Sequence, residues 1–440
     1  MDKTSSGFKK TVRLIFGWIL LFLAVLLGMG GAVIGFLLCA VFLSHIVFLG
    51  LIALLFCFLI SFSLSRISWR MIRRESRARL ALGIGLATVA GVMLISSLTI
   101  FKPLMPSSEI IVPGVPESVD YWDLETGSRI AYQKFPAENK TKEEPVIFLH
   151  GGPGGAVVSF RPITDVVSAL SKDGYDVYFY DQVGGGQSRR LKNIRNYQLS
   201  RHVLDLDQIR KKIKAEKMVL VGESHGGRLA AHYAAAYPEN VKRLVLISPG
   251  ELLSQEWDDD SGGSIKDRAS PETLQKFDHL FKTPRIMFTV LLFEINPDTA
   301  HNFLSEAEAD TLVTKLFSLV LGGMACDPVN FPEDHNILFG FWATMIPDEL
   351  PEPEDETVKG KLRSLTLPVL ILKGECDYLK WEVTYEYKSL LENSTLLFLE
   401  GAGHMPFLEK PGLVLNSIRS FLLDKPLPLP AYTGKTPPKK

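Results

Sequence analysis

Charged side chains are missing from a long stretch near the N-terminus. None of the 52 residues between Arg13 and Arg66 is Asp, Glu, Lys or Arg. One membrane-spanning helix needs about 20 apolar residues, so this stretch predicts two spans, with the reversal between residues 35 and 45. A further uncharged run at residues 81–101 predicts a third span. A cleaved signal peptide is the alternative, but the apolar run continues past its small-residue cleavage region at 28–32.

An excess of basic charge is absent from the rest of the chain. Residues 102–440 carry 38 Lys or Arg and 47 Asp or Glu, which argues against nucleic acid as a partner. Residues 1–101 carry ten basic and two acidic residues, and six of the arginines lie between Arg66 and Arg79. The positive-inside rule therefore places the N-terminus and this arginine segment in the cytoplasm. Three spans then predict a multi-pass membrane protein whose body, after residue 101, is extracytoplasmic.

Cysteines and cofactor motifs are also scarce. Cys39 and Cys57 lie in the apolar segments and are interpreted as packing residues, while Cys326 and Cys376 establish no disulfide framework and allow at most one bridge. The sequence has no G-x-x-x-x-G-K-[ST] pattern and no G-x-G-x-x-G after a first strand. No metal cluster stands out, so we expect chemistry that needs neither a cofactor nor a metal.

Short, solidly apolar runs alternate with helix-like stretches along the body. A hairpin is predicted around Thr126 and Gly127, from runs at 118–124 and 129–135. Six further runs, each apolar on both faces, predict buried strands of a parallel sheet covered by helices, a doubly wound α/β fold. They lie at residues 145–149, 175–180, 218–221, 244–247, 369–372 and 396–399.

The alternation is interrupted once, which predicts the domain organisation. Residues 251–360 contain helix-like segments without a clear strand and are interpreted as a helical cap inserted into a core of residues 113–250 and 361–424. Within the insertion, residues 258–260 and 347–356 are interpreted as solvated loops. The transmembrane region is predicted at residues 1–104, with spans near 14–36, 43–65 and 81–101. The Pro- and Lys-rich tail, 425–440, is predicted to be extended or disordered.

The sequence GESHG at residues 222–226 lies between a predicted strand and a predicted helix. This is the context of a nucleophile elbow, a sharp turn that exposes a serine hydroxyl. Such a turn needs glycine at positions 222 and 226, because the strand and the helix pass too closely there for side chains. The pattern predicts Ser224 as a catalytic nucleophile.

An acid and a histidine follow in the order that such a serine requires. Asp377 follows the strand at 369–372, and His404 follows the strand at 396–399. Since the carboxyl ends of parallel strands share one edge of the sheet, both are expected beside Ser224. His404 would take the serine proton, and Asp377 would hold its tautomer. Glu375 is the alternative acid.

A glycine-rich segment, HGGPGG at residues 150–155, follows the strand at 145–149. Its backbone N–H groups can face a substrate, and one of them, with the N–H of His225, can form an oxyanion hole. Gly152 is favoured over Gly151 for this role. A phosphate-binding loop is the alternative interpretation.

Five segments together resemble the prolyl aminopeptidase (proline iminopeptidase) family. They are HGGPGG at 150–155, DQVGGGQS at 181–188, GESHGG at 222–227, GECD at 374–377 and GAGH at 401–404. The resemblance covers about residues 119–423. It implies an α/β-hydrolase fold with a helical cap, a triad of Ser224, Asp377 and His404, and release of N-terminal residues, often proline, from small peptides.

The resemblance also implies acidic side chains that bind the free α-amino group of the substrate. Five glutamates are candidates: Glu223, Glu256, Glu294, Glu306 and Glu308. The leading hypothesis is a membrane-anchored aminopeptidase whose partners are short peptides and the lipid bilayer. The alternatives are an esterase or lipase that uses the same triad on acyl esters, and a membrane protein whose hydrolase body only binds or senses a ligand.

Overall fold

The structure is a computed structural model that describes residues 3–111, 119–253, 263–332, 337–353 and 355–438. Its described residues form eight strands and fourteen α-helices. The strands are β1 (Asp120–Asp123), β2 (Arg129–Phe135), β3 (Val146–Leu149), β4 (Val177–Tyr180), β5 (Met218–Glu223), β6 (Val241–Ile247), β7 (Val369–Cys376) and β8 (Ser394–Gly403). The helices are α1 (Lys3–Ala40), α2 (Ile46–Arg73), α3 (Ala78–Leu98), α4 (Arg161–Val167), α5 (Leu199–Lys212), α6 (His225–Ala236), α7 (Pro271–Phe281), α8 (Pro284–Ile295), α9 (Pro297–Phe303), α10 (Glu306–Val320), α11 (Phe341–Glu349), α12 (Thr357–Arg363), α13 (Trp381–Leu390) and α14 (Pro411–Leu422).

The chain is divided into two compact units. The first contains Met1–Ser108 together with Phe281–Ser305, and the second contains Glu109–Leu280 together with Glu306–Lys440. The chain therefore passes between the units three times. The insertion that was predicted as one helical cap, residues 251–360, is shared between them, because α8 and α9 pack with the N-terminal helices.

The first unit is built on α1, α2 and α3. All three are long and apolar enough to cross a membrane, judged by length and composition. The chain reverses between Ala40 and Ile46, within the predicted interval. Within the arginine segment, Arg66–Arg73 continues α2, and only residues 74–77 separate α2 from α3.

The second unit is organised around one sheet of eight strands in the order β1-β2-β4-β3-β5-β6-β7-β8. Strands β1 and β2 form the predicted antiparallel hairpin, and β2 pairs antiparallel with β4. All the other pairs are parallel. Every residue of β3, β4 and β5 is buried, as expected for strands that are apolar on both faces and covered by helices. The predicted mostly parallel α/β sheet is confirmed.

The region between β6 and β7 is helical in its described residues, from α7 to α12. Residues 347–356 were interpreted from the sequence as a solvated loop. This interpretation is wrong for the first three of them, since α11 continues to Glu349. The acidic residues 258–260 lie outside the described residues.

The C-terminal tail has defined contacts although its described residues, up to 438, form neither helix nor strand. The indole Nε1 of Trp381 donates to the carbonyl of Lys435 at 2.8 Å, and the N–H of Tyr432 donates to the carbonyl of Leu396 at 2.7 Å. These two hydrogen bonds hold the described part of the tail against α13 and β8.

Candidate active site

Ser224 occupies the turn between β5 and α6. Its backbone angles are φ 53° and ψ −123°, in a region that residues other than glycine rarely adopt. A side chain at Gly226 would overlap the carbonyl oxygen of Leu149 in β3. The helix thus passes too close to the sheet for any residue but glycine, which is the geometry expected of a nucleophile elbow.

Asp377 and His404 directly follow β7 and β8. His404 Nδ1 lies 2.6 Å from Asp377 Oδ1, and both side chains are buried. Asp377 also accepts from the N–H of Leu379 at 3.0 Å and from Lys373 Nζ at 2.7 Å. Burial by itself would raise the pKa of Asp377, but His404 and Lys373 outweigh burial and hold that pKa well below its usual range. Asp377 is therefore ionised and fixes the orientation of the His404 ring.

Glu375, the alternative acid, points elsewhere. Its Oε2 accepts from the N–H of Gly401 at 2.9 Å. The structure thus brings Asp377, and not Glu375, to the histidine. Next to Asp377, Cys376 forms a disulfide with Cys326, the single bridge that the sequence allowed.

The Nε2 atom of His404 faces Tyr378 and Glu223. It lies 3.4 Å from the Tyr378 hydroxyl and 3.7 Å from Glu223 Oε1, and the Tyr378 ring packs on the imidazole with centroids 4.3 Å apart. Within the described residues, Ser224 is not among the hydrogen-bond partners of His404. Burial raises the pKa of Tyr378, and a hydrogen bond to Ser224 partly opposes that rise. The phenol thus lies between Ser224 and His404, in a site whose hydrogen bonds can shorten when substrate enters.

The glycine-rich segment after β3 lies beside Ser224. Gly151 donates its N–H to Glu223 Oε2 at 3.1 Å, so this donor is already engaged. Gly152 has φ 138° and lines the same cavity as Ser224. His225 is the first residue of α6, where backbone N–H groups have no acceptor within the helix. Of the two glycines, Gly151 is thus the one whose N–H is already bonded to a side chain of the site.

Buried polar side chains support these loops from below. His150 Nε2 accepts from the N–H of Gln182 at 2.9 Å, so its Nδ1, 2.7 Å away, is the donor to the Gly151 carbonyl. Burial lowers the pKa of His150, which keeps the ring neutral. Asp181 accepts from the N–H groups of Val157, Val158 and Gln187 at 2.7, 3.0 and 2.9 Å. HGGPGG and DQVGGGQS are therefore two halves of one hydrogen-bonded support.

A cavity of about 150 Å³ opens onto Ser224. Its lining includes the apolar side chains of Phe160, Phe317 and Phe339. Two carboxyl groups, those of Glu223 and Asp348, also line it. The site is thus largely apolar with a small number of acidic groups near the nucleophile, a composition common in small-molecule sites.

Glu223 is 2% exposed, and its Oε1 has no hydrogen-bond partner among the described residues. Burial raises the pKa of Glu223 to about 7, against the opposing effects of His404 and the Gly151 N–H. Burial likewise raises the pKa of Asp348 to about 6, although Arg228 partly opposes the rise. A buried carboxyl with an unpaired oxygen is costly unless a ligand completes it.

The five glutamates predicted as amine ligands fall in different places. Of the four that lie within the described residues, only Glu223 lines the cavity. Glu294 is exposed on α8 in the first unit, Glu306 and Glu308 begin α10 away from the cavity lining, and Glu256 lies outside the described residues. Sequence reasoning missed Asp348 and Tyr378. Tyr378 could have been found from its position next to Asp377, whereas Asp348 lay in a stretch that composition alone marks as a loop.

Metal ligands are not assembled in this region. Across the described ranges, no group of three or more His, Cys, Asp or Glu side chains is arranged to hold a metal ion.

Comparisons with known proteins give the following matches. The model of a family described as alpha/beta hydrolase fold matches residues 144–411. The chain is 28% identical over 310 residues to a proline iminopeptidase of Heyndrickxia coagulans, which covers 68% of this chain and 96% of that protein. It is 26% identical over 309 residues to a proline iminopeptidase of Saccharolobus solfataricus. That match covers 67% of this chain and 89% of that protein. The crystal structure of Cfl2 from Burkholderia cenocepacia superposes with a TM-score of 0.50 at 16% identity, covering 70% of this chain and 98% of that one, a likeness of fold alone.

Proposed function

Because the chain belongs to the α/β-hydrolase fold family, we propose that it is a membrane-anchored serine aminopeptidase that releases N-terminal residues, proline among them, from short peptides. The similarity to proline iminopeptidases supports this substrate class. The single observation that carries the aminopeptidase assignment is the buried Glu223 carboxyl, with one oxygen unpaired, in the cavity of Ser224.

The catalytic steps follow from the arrangement of the three predicted residues. Ser224 attacks the scissile carbonyl carbon while His404 Nε2 takes its proton, and ionised Asp377 stabilises the imidazolium that forms. The N–H groups of Gly152 and His225 stabilise the negative oxygen of the tetrahedral intermediate. His404 then returns the proton to the leaving amine, which leaves an acyl-enzyme. A water molecule, deprotonated by His404, hydrolyses that ester and frees Ser224.

Recognition of the substrate amine follows from its distance to the reacting carbon. In an N-terminal residue, one carbon separates the α-ammonium group from the scissile carbonyl. The group that binds the ammonium must therefore lie close to the nucleophile, and Glu223 is adjacent to Ser224 in the chain. An ammonium that pairs with Glu223 Oε1 favours the ionised carboxylate and so compensates for the cost of its burial. Asp348, on the cavity wall, provides a second negative charge.

The membrane location rests on α1, α2 and α3 together with the arginines at the end of α2. By the positive-inside rule, the basic N-terminus and these arginines favour the cytoplasm. We therefore infer that the second unit lies outside it. The disulfide between Cys326 and Cys376 supports this orientation, since disulfides persist in oxidising compartments.

An acyl hydrolase with the same triad is the second candidate function. The apolar lining of the cavity, with Phe160, Phe317 and Phe339, favours it, because such a surface accommodates an acyl chain as readily as a proline ring.

Paired kinetics on proline arylamide and its N-acetylated form distinguish the two candidates, with the Ser224→Ala protein as the blank. We expect cleavage of the free amine only. If neither arylamide is cleaved while short acyl esters are, the aminopeptidase assignment is wrong and the protein is an esterase. If Ser224→Ala retains the full rate with either substrate class, Ser224 is not the nucleophile.

A further inference from the structure

Helix α8 exposes an apolar surface in the first unit. Arg285 and Glu294 are the only charged residues among its 12, and Met287 and Leu291 are 49% and 43% exposed on its outer face. The preceding helix, α7, exposes mainly polar and charged side chains. At 12 residues α8 is too short to span a bilayer, and apolar helices of this length are typical of protein cores or membrane interfaces.

Helix α9 and the residue before it attach α8 to the turn between α1 and α2 through three side chains. Asn296 Nδ2 donates to the carbonyl of Ala40 at 3.0 Å, Thr299 Oγ1 to that of Leu43 at 3.1 Å, and Asn302 Nδ2 to that of Ser44 at 3.1 Å. The last carbonyls of a helix have no partner within it, and near lipid they need one. The α8–α9 pair therefore satisfies the backbone carbonyls at one end of a bundle whose sides are apolar.

The end of α3 is held by the same pair. Arg285 donates to the carbonyl of Ile100 at 3.0 Å, and its guanidinium lies 4.7 Å from the Phe303 ring centroid. The Phe288 ring lies 5.7 Å from that of Phe36 near the end of α1. Helix α8 thus lies level with the ends of α1 and α3, at one boundary of the long apolar helices.

An almost wholly apolar cavity of about 430 Å³ adjoins α8. Its lining includes Phe36 of α1, Leu51 of α2, Met93 of α3 and Phe288 of α8. An open apolar cleft between membrane helices is a surface that a lipid acyl chain can fill without leaving a polar group unpaired.

We propose that α8 is an interfacial helix whose Met287 and Leu291 contact the acyl chains of membrane phospholipid, next to the cleft that opens between α1, α2 and α3. The proposal rests on the membrane anchoring in the proposed function. Continuity with the exposed apolar faces of α1, α2 and α3 selects lipid, and not water, as the occupant of this surface. The insertion between β6 and β7 thereby becomes a membrane-attached element, with α7 and α10 as its neighbours in the chain.

Lipid photolabelling of the full chain in nanodiscs tests the proposal. The nanodiscs contain phosphatidylcholine with a photoactivatable diazirine in its acyl chain, and adducts are mapped by mass spectrometry. We expect adducts on α1, α2, α3 and α8, and none on α7. Adducts on α1, α2 and α3 without any on α8 would overturn the inference and leave the anchoring intact. The absence of adducts from all four helices would overturn the anchoring itself.

A matched pair of variants provides a second test. Leu291 on α8 and Leu274 on α7 are similarly exposed, at 43% and 36%. If α8 faces lipid, Leu291→Asp lowers the melting temperature in nanodiscs by several degrees, because a carboxylate is costly there, whereas Leu274→Asp leaves it unchanged. Equal melting temperatures for the two variants contradict the proposal.

Discussion

At the residue scale, the function depends on which carboxyl groups are satisfied by the protein and which are left for a substrate. Asp377 and Glu375 are both satisfied, the first by His404, Lys373 and Leu379, the second at least by the N–H of Gly401. Glu223, which lines the cavity, keeps one oxygen without a hydrogen-bond partner among the described residues. The first group can orient a base, the second can hold a loop, and the third can bind a cation.

Asp377→Asn should lower kcat by about 10³- to 10⁴-fold, because the neutral amide stabilises the wrong tautomer of His404 and cannot stabilise the imidazolium. Glu375→Gln is the matched control, two residues away, and should retain most of the wild-type kcat. Steady-state kinetics with proline arylamide, together with circular dichroism to establish folding, measure both. A folded Asp377→Asn protein with wild-type kcat would falsify the assigned role.

Glu223→Gln should reduce kcat/KM for the free-amine substrate by about 10- to 100-fold, the loss expected when a charged partner of a hydrogen bond is replaced by a neutral one. The preference over the N-acetylated substrate should narrow by a similar factor. Glu294→Gln, at an exposed glutamate of the other unit, is the control and should change neither quantity. If Glu223→Gln keeps the full preference for the free amine, Glu223 does not bind it.

The same carboxyl predicts a pH dependence of kcat/KM. With a pKa near 7, Glu223 becomes protonated and loses its charge as the pH falls through about 7, so binding of the ammonium weakens on the acidic side. On this acidic side, the logarithm of kcat/KM should fall more steeply in the wild type than in Glu223→Gln, by about one unit of limiting slope. Identical slopes would separate Glu223 from substrate binding.

At the scale of elements, the sheet positions the proposed triad, and residues of the insertion line the cavity beside it. Ser224, Asp377 and His404 follow β5, β7 and β8, so one edge of a parallel sheet collects them. Phe317 and Asp348 come from α10 and α11 of the insertion and line the cavity. The disulfide joins these parts, since Cys326 lies in the insertion and Cys376 ends β7 beside Asp377.

Reduction of this disulfide should destabilise the second unit. The bridge spans a sequence separation of 50, for which chain entropy predicts a contribution of about 4 kcal/mol. Thermal unfolding with and without reductant should show a lower melting temperature for the reduced protein. The double variant Cys326→Ser/Cys376→Ser should melt like the reduced wild type and be insensitive to reductant. Equal stability of oxidised and reduced wild type contradicts this prediction.

At the scale of the whole molecule, the near-neutral net charge of −1 conceals an uneven distribution. The N-terminal 101 residues are basic and apolar, and the remainder is acidic. This distribution determines the predicted orientation, because arginines beside a span stay in the cytoplasm whereas acidic residues contribute little.

The orientation predicts that protease added to sealed spheroplasts digests the second unit and leaves an N-terminal tag protected. Neutralising the arginines at the end of α2, as in the triple variant Arg70→Gln/Arg73→Gln/Arg74→Gln, should weaken this bias and produce a protected fraction of the body. If the second unit of the wild-type protein is digested only after the spheroplasts are lysed, it lies in the cytoplasm and the predicted orientation is wrong.

The sequence by itself determined the features that depend on local pattern. Apolar runs without charge marked α1, α2 and α3, and runs apolar on both faces marked the parallel strands, because burial on all sides excludes charged residues locally. The motifs around Ser224, Asp377 and His404 could be placed on one sheet edge because each directly follows a strand.

Only the tertiary structure decided which distant groups meet. It placed Glu223, alone among the four candidate glutamates that the structure describes, in the cavity of Ser224, and it added Asp348, which is separated from Ser224 by more than 100 residues of chain. It joined Cys326 to Cys376, and it placed Phe281–Ser305 with the N-terminal helices instead of with the rest of the insertion. Local composition reports whether a segment is buried and in what backbone form. The partner that buries it depends on contacts between residues far apart in the chain, which no local pattern encodes.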